Sequence, residues 1–327
     1  MRMTLDGQTA NEEEGGRFRL AGRGIKLSPE QEKYISQVNE KVSSCEYRMV
    51  PKPCPCGADD DDLLATRDRY GFVFNTVICK KCGLIRANPY FDEEALRNFY
   101  SNEFDHIYRS VYKDEQDYYR QRAAHGRKII RYLRLNGIRV KNRVVYEIGC
   151  AGGGLLNVFR SAGCTVKGAD YNIGMIQQGQ KRGLNLVVGG VECFRDDPPA
   201  DIVILNHVLE HITDPVGFLR QARDLLKEDG VMYVEVPTIE TVKSTYRHNI
   251  FNYLQNAHVF CFSSHTLPRV LQEAGYGTRL IDESRALATR DGRKDPEDAC
   301  ADAYGYALAI LEAEDKAFYA QQQKADK

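Results

Sequence analysis

Short apolar runs alternate with amphipathic stretches through the second half of the chain. Stretches of helical period lie between the runs, for example GLLNVFRSAG and DPVGFLRQARDLLKEDG. Chains that alternate strands with helices form a parallel sheet with helices on both faces. The pattern therefore predicts an α/β fold with a mostly parallel sheet, whose strands are VVYEIG (144–149), TVKGAD (165–170), NLVVGG (185–190), DIVILN (201–206) and VMYVEVP (231–237).

The first half of the chain follows another pattern. Residues 1–27 are rich in Gly, Glu and Arg and have no sustained period, so we expect a mobile arm. Residues 28–44 open with Ser-Pro-Glu, which predicts the start of a short polar helix. The alternating segment YGFVFNTVI predicts a hairpin strand, and residues 91–135 are helical in pattern and unusually aromatic. Core packing and a lid over a neighbouring domain are both open for these aromatic side chains.

Composition and charge narrow the class of protein. The 327 residues are 43% hydrophobic and 28% charged, which is typical of globular domains, and the length allows about two domains. Because 45 Lys and Arg are set against 46 Asp and Glu, no overall basic field attracts nucleic acid or an anionic membrane. No run of about 18 apolar residues occurs, and the N-terminal segment is polar. We therefore expect a cytoplasmic protein without a membrane span or a nucleic-acid partner.

Four of the ten cysteines form two close pairs. Cys54 and Cys56 are one residue apart, Cys79 and Cys82 form a C-x-x-C pair, and glycine follows each pair at once. In a reducing compartment such clusters indicate metal binding or catalysis rather than disulfides. Two thiolates from each turn complete the tetrahedral sphere of Zn²⁺ and leave no position open for water. The spacing predicts a structural zinc ion, and four free buried thiols are the alternative.

A glycine-rich turn follows the first apolar run. The segment 147–154, EIGCAGGG, leads into the helical stretch LLNVFRSA. Glycines at a strand-to-helix turn let the backbone approach a ligand, and the helix N-terminus offers free amides. Asp170 ends the second run, 21 residues after Gly149, where an acid accepts both hydroxyls of an adenosine ribose. The turn by itself also fits nicotinamide and flavin cofactors.

Two further motifs follow this turn in order. With EIGCAGGG and Asp170, the segments DIVILNHVLEHITDP and LLKEDGVMYVEVP resemble the class I S-adenosylmethionine-dependent methyltransferases over about residues 142–282. The resemblance implies a Rossmann-like, seven-stranded, mostly parallel sheet. Upstream, CPCG and CKKCGLIRANPYFDEEALRNFYSNEF are similar to zinc-containing methyltransferases of bacterial deoxysugar and surface-polysaccharide biosynthesis, which implies a small zinc-ribbon-like module. Longer members of that group carry a second Rossmann-like domain where this sequence has about 45 residues.

These last residues begin as a final strand pair near Glu283 and then become helical by composition, with Tyr304, Leu308 and Leu311 on one face. Core docking and a dimer contact are both open for that helix, and the oligomeric state stays open with them. The pattern and the resemblance together predict five segments. They are a mobile arm with a short helix (1–45), a zinc-binding module (46–90), an aromatic-rich helical lid (91–135), a Rossmann-like methyltransferase domain that binds S-adenosylmethionine (136–290) and a helical tail (291–327).

The resemblance also implies which residues contact S-adenosylmethionine. The glycine turn lines the methionine end, Asp170 holds the ribose, Tyr171 flanks the adenine, and Val191 with Glu192 reaches the amino edge of the adenine. The whole set that the resemblance implies is Glu147, Gly149, Cys150, Ala151, Gly153, Asp170, Tyr171, Val191, Glu192 and Asn206.

The sulfonium donor is already activated, so methyl transfer needs placement of the acceptor and a group that takes its proton. His207 and His211, with Glu210 beside them, follow the fourth run at the strand end where ligands collect in open α/β sheets. His258 lies in the segment that, by the resemblance, closes over the acceptor. A structural role in ordering a loop is the alternative for each candidate. The other histidines have no comparable context: His106, His125, His248 and His265.

We therefore expect a methyltransferase that acts on a small molecule, with O-methylation of a nucleotide-linked or glycan sugar hydroxyl as the main hypothesis. Sugar C-methylation stays open. An RNA or protein methyltransferase that holds its polymer with the zinc module is a further alternative, although the run from Asp59 to Asp62 repels phosphate. A protein that binds the cofactor without turnover is the non-enzymatic alternative.

Overall fold

The computed structural model describes residues 16–18, 25–108, 115–290, 292 and 302–325, so most of the predicted arm lies outside the described residues. The helices within them are α1 (Pro29–Ser43), α2 (Glu93–Asn102), α3 (Phe104–Tyr108), α4 (Glu115–Leu135), α5 (Gly154–Ser161), α6 (Ile173–Lys181), α7 (Pro215–Asp224), α8 (Val242–Tyr246), α9 (Ile250–Tyr253), α10 (Thr266–Glu273) and α11 (Ala303–Ala325). The strands are β1 (Met49–Val50), β2 (Asp61–Arg67), β3 (Val73–Cys79), β4 (Ile85–Ala87), β5 (Tyr90–Phe91), β6 (Val144–Ile148), β7 (Thr165–Asp170), β8 (Leu186–Val188), β9 (Ala200–Asn206), β10 (Leu226–Glu235), β11 (Phe260–Cys261), β12 (Gly277–Asp282) and β13 (Arg285–Thr289). None of these helices is long and apolar enough to cross a bilayer.

The chain forms two compact units that do not follow its linear order. The first consists of Met1–Tyr108, Val242–Cys261 and Asp302–Lys327, and the second of Arg109–Thr241 and Phe262–Ala301. The predicted segment 91–135 is divided between them, because α2 and α3 belong to the first unit and α4 to the second. The helix of the predicted tail joins the first unit.

The second unit contains the predicted α/β fold. Its seven strands lie in the order β12-β13-β10-β9-β6-β7-β8, and all pairings from β10 to β8 are parallel. Only the two pairings made by β13 are antiparallel. This is the seven-stranded, mostly parallel sheet that the resemblance implied, and the prediction of fold class is confirmed.

One prediction in this region is wrong. The stretch up to Gly230 reads as helical, but α7 ends at Asp224 and β10 already begins at Leu226. Leu226 is in register with Ala200 of β9, and the register shifts between Leu226 and Val231. Pairing with β9 therefore outweighs the helical propensity of LLKEDG. The charged residues of this segment lie where the register shifts, as in a β-bulge.

Helices α4 and α5 cover one face of this sheet. Their buried side chains share a core with strand residues at alternate positions, which point to the same face. Ile204 of β9 is in register with Glu147 of β6 and with Tyr233 of β10. That core contains Ile129, Ile130 and Leu133 of α4, Leu155, Leu156 and Phe159 of α5, and Val145, Ile202, Ile204, Val231 and Tyr233 of the strands.

The first unit contains the cysteine pairs and a small antiparallel sheet of order β11-β4-β3-β2. The predicted polar helix is confirmed as α1, where Ser28 and Gln31 form a reciprocal capping box. Helix α11 docks into this unit through the buried side chains of Ala307 and Leu311, and the hydroxyl of Tyr304 donates to Asp62. Core docking, one of the two possibilities left open for the tail helix, is thus what the structure has.

Candidate active site and metal centre

The turn between β6 and α5 has a left-handed backbone at three positions. Gly149, Ala151 and Gly153 have φ of 76°, 48° and 72°. A Cβ at either glycine would overlap a neighbouring side chain, so glycine is required there for space as well as for conformation. The N–H groups of Gly149 and Cys150 both donate to the carbonyl of Ala169, at 2.8 and 3.0 Å. The turn is thereby fastened to the end of β7.

Asp170 joins the same turn to the residues that follow β7. Its Oδ2 accepts the N–H of Ala151 and its Oδ1 accepts the N–H of Asn172, each at 2.8 Å. An ionised carboxylate has about four acceptor positions. Two hydrogen bonds therefore leave positions for the hydroxyls of a ligand while the acid orders the turn.

An apolar surface lies beside Asp170. The side chains of Tyr171, Ile173 and Val188 are 74%, 58% and 49% exposed, and they are three of the six large hydrophobic residues that are exposed in the described part of the chain. Val191 is buried, whereas the carboxylate of Glu192 is near the surface and accepts a backbone N–H at 2.8 Å. Desolvation and the charge of Glu192 raise the pKa of Tyr171. A flat aromatic ligand would cover this surface.

Three polar side chains project from the face of the sheet that α4 covers. Asn206 is in register with Glu235 of the neighbouring strand. Ile204, two residues earlier, is in register with Glu147. Since residues two apart in a strand point to the same face, Glu147, Asn206 and Glu235 lie side by side at the carboxyl ends of β6, β9 and β10.

Two of these side chains carry polar atoms without partners. Glu147 is fully buried, and desolvation raises its pKa to about 8 although Arg122 donates to its Oε1 at 3.2 Å. Its Oε2 has no hydrogen-bond partner among the described residues, nor does either polar atom of Asn206, which is 3% exposed. A buried polar atom without a partner costs about 1–3 kcal/mol. The cluster is therefore built to meet polar groups of a ligand or ordered water.

His207, Glu210 and His211 follow β9 directly. His207 has a φ of 56°, and its Nδ1 lies 3.3 Å from Oε1 of Glu210. Desolvation opposes protonation of His207, but the hydrogen bond to Glu210 raises the pKa above its ordinary value. Nε2 of His211 lies 3.9 Å from the same oxygen, and Oε2 of the buried Glu210 has no partner among the described residues.

The sequence analysis missed a second histidine–carboxylate pair. Nε2 of His125, on α4, contacts Oε2 of Glu235 at 2.9 Å, and the hydroxyl of Tyr233 donates to the same oxygen at 2.6 Å. Desolvation alone would raise the pKa of Glu235, but these two hydrogen bonds lower it to about 2. The sequence contains one signal for this pair. Arg122 and His125 are three residues apart in a helical segment, so they lie on the same face of α4.

His258 belongs to the first unit, in a loop that is held by buried residues of that unit. Both carboxylate oxygens of Asp68 are used: Oδ1 accepts two backbone N–H groups of its own turn, and Oδ2 accepts the N–H of Asn256 at 2.9 Å. The hydroxyl of Tyr90 donates to the carbonyl of Asn256 at 2.6 Å, and the N–H of Ala257 donates to the hydroxyl of Tyr108. His258 itself is 6% exposed.

The four cysteines of the predicted zinc site lie together in the first unit. Cys54 Sγ is 3.4 Å from the sulfurs of Cys56 and Cys82, and Cys56 Sγ is 3.6 Å from that of Cys79. Tetrahedral Zn²⁺ with bonds of about 2.3 Å separates its sulfurs by about 3.8 Å. The donor set and its size therefore fit a zinc ion.

Two cations pair with three of the four carboxylates in the acidic run beside these cysteines. Lys80 pairs with Asp60 at 2.8 Å and with Asp62 at 3.3 Å, and Arg86 holds both oxygens of Asp61 at 2.9 and 2.6 Å. Repulsion of phosphate by this run is accordingly weaker than its composition suggests.

Comparison with known protein families gives a match that covers most of the second unit and also includes residues 242–261 of the first. Residues 117–279 match the family model described as a methyltransferase domain. The matched segment includes most of α4, the glycine turn, Asp170 and His207.

Curated proteins match this chain in part. The chain is 26% identical over 138 residues to the ubiquinone biosynthesis O-methyltransferase of Pelagibacter ubique, covering 37% of this chain and 55% of the relative. It is 26% identical over 232 residues to the C-methyltransferase NovU of Streptomyces niveus, covering 68% of this chain and 51% of the relative. The chain thus spans about half the length of these curated relatives. A solved structure of a SAM-dependent methyltransferase from Archaeoglobus fulgidus aligns with 67% of this chain and 92% of its own, at 20% identity and a TM-score of 0.42.

Proposed function

We propose that this protein transfers a methyl group from S-adenosylmethionine to a small-molecule acceptor. The observation that carries the proposal is the position of Asp170. Its carboxylate accepts backbone N–H groups of Ala151 and Asn172 and has further acceptor positions for the hydroxyls of a ribose. The match of residues 117–279 to a methyltransferase domain supports it.

The residues at the carboxyl ends of β6, β7 and β9 fit this donor. The turn from Gly149 through Cys150 and Ala151 to Gly153 offers its backbone to the methionine end, where Glu147 and Asn206 have unpartnered buried atoms. Asp170 would hold the ribose. The exposed ring of Tyr171 would flank the adenine, with Val191 and Glu192 at its amino edge. When bound, S-adenosylmethionine supplies an electrophilic methyl group, and the protein places the acceptor and removes its proton.

A sugar hydroxyl is the acceptor that we propose first. It is a weak acid, so a neighbouring base is needed to take its proton. Among the residues singled out from the sequence, His211 and His258 are the candidates for that base, and His207 and Glu210 are candidates for ordering the loop around it. Sugar C-methylation is the second candidate, since the match to the C-methyltransferase NovU extends over 68% of this chain.

The test begins with the ligand that co-purifies. Denaturing mass spectrometry should release S-adenosylmethionine or its demethylated product from purified protein. Transfer of a labelled methyl group to a panel of nucleotide sugars, with phenolic acceptors as the comparison, then identifies the acceptor class. The methyl proton shift of the product separates attachment to oxygen from attachment to carbon. Protein that neither carries nor binds the donor in calorimetry would overturn the proposal.

We further propose that Cys54, Cys56, Cys79 and Cys82 hold one structural Zn²⁺. The sulfur spacings support this, as do the left-handed Gly57 and Gly83, whose N–H groups each return to a cysteine carbonyl at 2.8 Å. Four thiolates leave no open position on the metal, so its effect is on folding. Metal analysis of protein purified without chelator should give about one zinc per chain.

A further inference from the structure

Two histidine–carboxylate pairs lie at the carboxyl edge of the large sheet, and they differ in geometry. His207 contacts Glu210 at 3.3 Å, whereas His125 contacts Glu235 at 2.9 Å. Glu235 is fixed further by the hydroxyl of Tyr233. The His125 pair is therefore the shorter and better supported of the two.

The pair also fixes which nitrogen of His125 carries a proton. Because its hydrogen-bond donors lower the pKa of Glu235 to about 2, Glu235 is a carboxylate at neutral pH and can only accept. Nε2 of His125 must then donate, which leaves Nδ1 as the acceptor in the neutral ring. Nδ1 has no hydrogen-bond partner among the described residues, and the side chain is 26% exposed.

A buried amide without hydrogen-bond partners lies beside Glu235 on the neighbouring strand. Asn206 is in register with Glu235, and its amide has neither a donor nor an acceptor partner in the described part of the chain. A hydroxyl beside it could accept from Nδ2 and donate to a base. Glu147, which belongs to the same cluster, lies near the end of β6 and precedes Gly149 of the glycine turn by two residues.

We propose that His125, positioned by Glu235, is the base that takes the proton of the acceptor hydroxyl, in place of His211 or His258. This rests on the proposed function. The hydroxyl proton moves to Nδ1 of His125, and an oxygen lone pair forms the bond to the methyl carbon. The bond from that carbon to sulfur breaks, and its electron pair stays on sulfur as a neutral thioether. The positive charge passes to the imidazolium, which Glu235 stabilises until the proton leaves to solvent.

Other charged and titratable groups lie near the His125–Glu235 pair, and the pH–rate experiment has to control for them. Tyr233 of β10 donates to Glu235, the charge of His207 after β9 lowers the pKa of Glu235, and Arg122, three residues before His125 on α4, pairs with Glu147 of β6.

The deciding variant is His125→Gln, whose amide still donates to Glu235 but cannot take a proton. We expect an unfolding temperature and S-adenosylmethionine affinity near those of the parent, a kcat about 10²- to 10⁴-fold lower, and loss of the acid limb of the pH–rate profile. His106→Gln, at an exposed histidine paired with Glu30 at 2.9 Å, is the matched control and should behave as the parent. Glu235→Gln should move the acid limb to lower pH.

A second readout needs neither cofactor nor acceptor. Nitrogen NMR of the free protein at neutral pH should show His125 with its proton on Nε2. An Nδ1–H tautomer, or a His125→Gln enzyme that keeps its acid limb and a kcat within about three-fold of the parent, would overturn the assignment. A tenfold or greater loss in His211→Asn with His125→Gln unaffected would return the role to His211. If the parent transfers no methyl group at all, the proposed function fails, and the tautomer still decides whether His125 is arranged as a base.

Discussion

Replacing Asp170 with alanine tests two roles of this carboxylate: the turn contacts in the structure and the ribose contact that we propose. The side chain accepts the N–H groups of Ala151 and Asn172, each at 2.8 Å, and its remaining positions are those proposed for the ribose. A hydrogen bond to a charged group contributes about 1.5–3 kcal/mol. Two lost ribose bonds therefore amount to about 3–6 kcal/mol, or roughly a 10²- to 10⁴-fold weaker affinity for S-adenosylmethionine.

Loss of the turn contacts should also lower stability, so affinity and unfolding must be measured on the same preparation. Asp201→Ala is the matched control, because Asp201 accepts the N–H of Val144 at 2.8 Å and a hydrogen bond from Arg143 at 2.7 Å. It lies at the amino end of β9, whereas Asp170 lies at the carboxyl end of β7. Calorimetry should show weak binding for Asp170→Ala and normal binding for Asp201→Ala. If both variants lost stability alike and both bound the donor within about three-fold of the parent, Asp170 would serve the turn alone.

Three further outcomes are expected. Cys79→Ser should lower the zinc content and the unfolding temperature, and no change in either would contradict the metal site. Burial raises the pKa of Asp68 to about 7 from its ordinary value of 3.8, so the native state binds the extra proton and stability falls as pH rises from about 4 to 7. In urea unfolding, the free energy of unfolding of Asp68→Asn should not show this fall with pH. The same pH dependence in the parent and the variant would contradict the prediction. His207→Gly, which permits the φ of 56°, should be more stable than His207→Ala by about 1 kcal/mol, and equal stabilities would refute backbone strain there.

Much of the sheet could be predicted because each strand carries its own signal. The runs ending at Asp170 and Asn206 are apolar, bounded and followed by turns, and β7 and β9 end at these residues. The clustering of the four cysteines could also be predicted, because their spacing and the glycines that follow them are local properties of the sequence. Such features need no knowledge of which strands are neighbours.

The pairs made across the sheet could not be predicted in the same way. His125 meets Glu235 only because β10 lies two strands from β6 and α4 covers the face shared by both. That relation depends on strand order and register, which a single strand does not encode. The start of β10 at Leu226 was missed for a similar reason, because pairing with Ala200 outweighs the local preference for helix.

The first unit is assembled from segments far apart in the chain, and this has a consequence for folding during synthesis. Its cysteine turn at Gly83 lies directly against the backbone of Ala303, at the start of α11, and a side chain at that glycine would collide there. The ribosome releases the segment with the four cysteines long before the helix that packs against it. Contacts of such sequence separation form slowly, and the half-built unit exposes apolar surface meanwhile. Early capture of zinc by the four cysteines would hold that segment in shape until synthesis reaches the C-terminal helix.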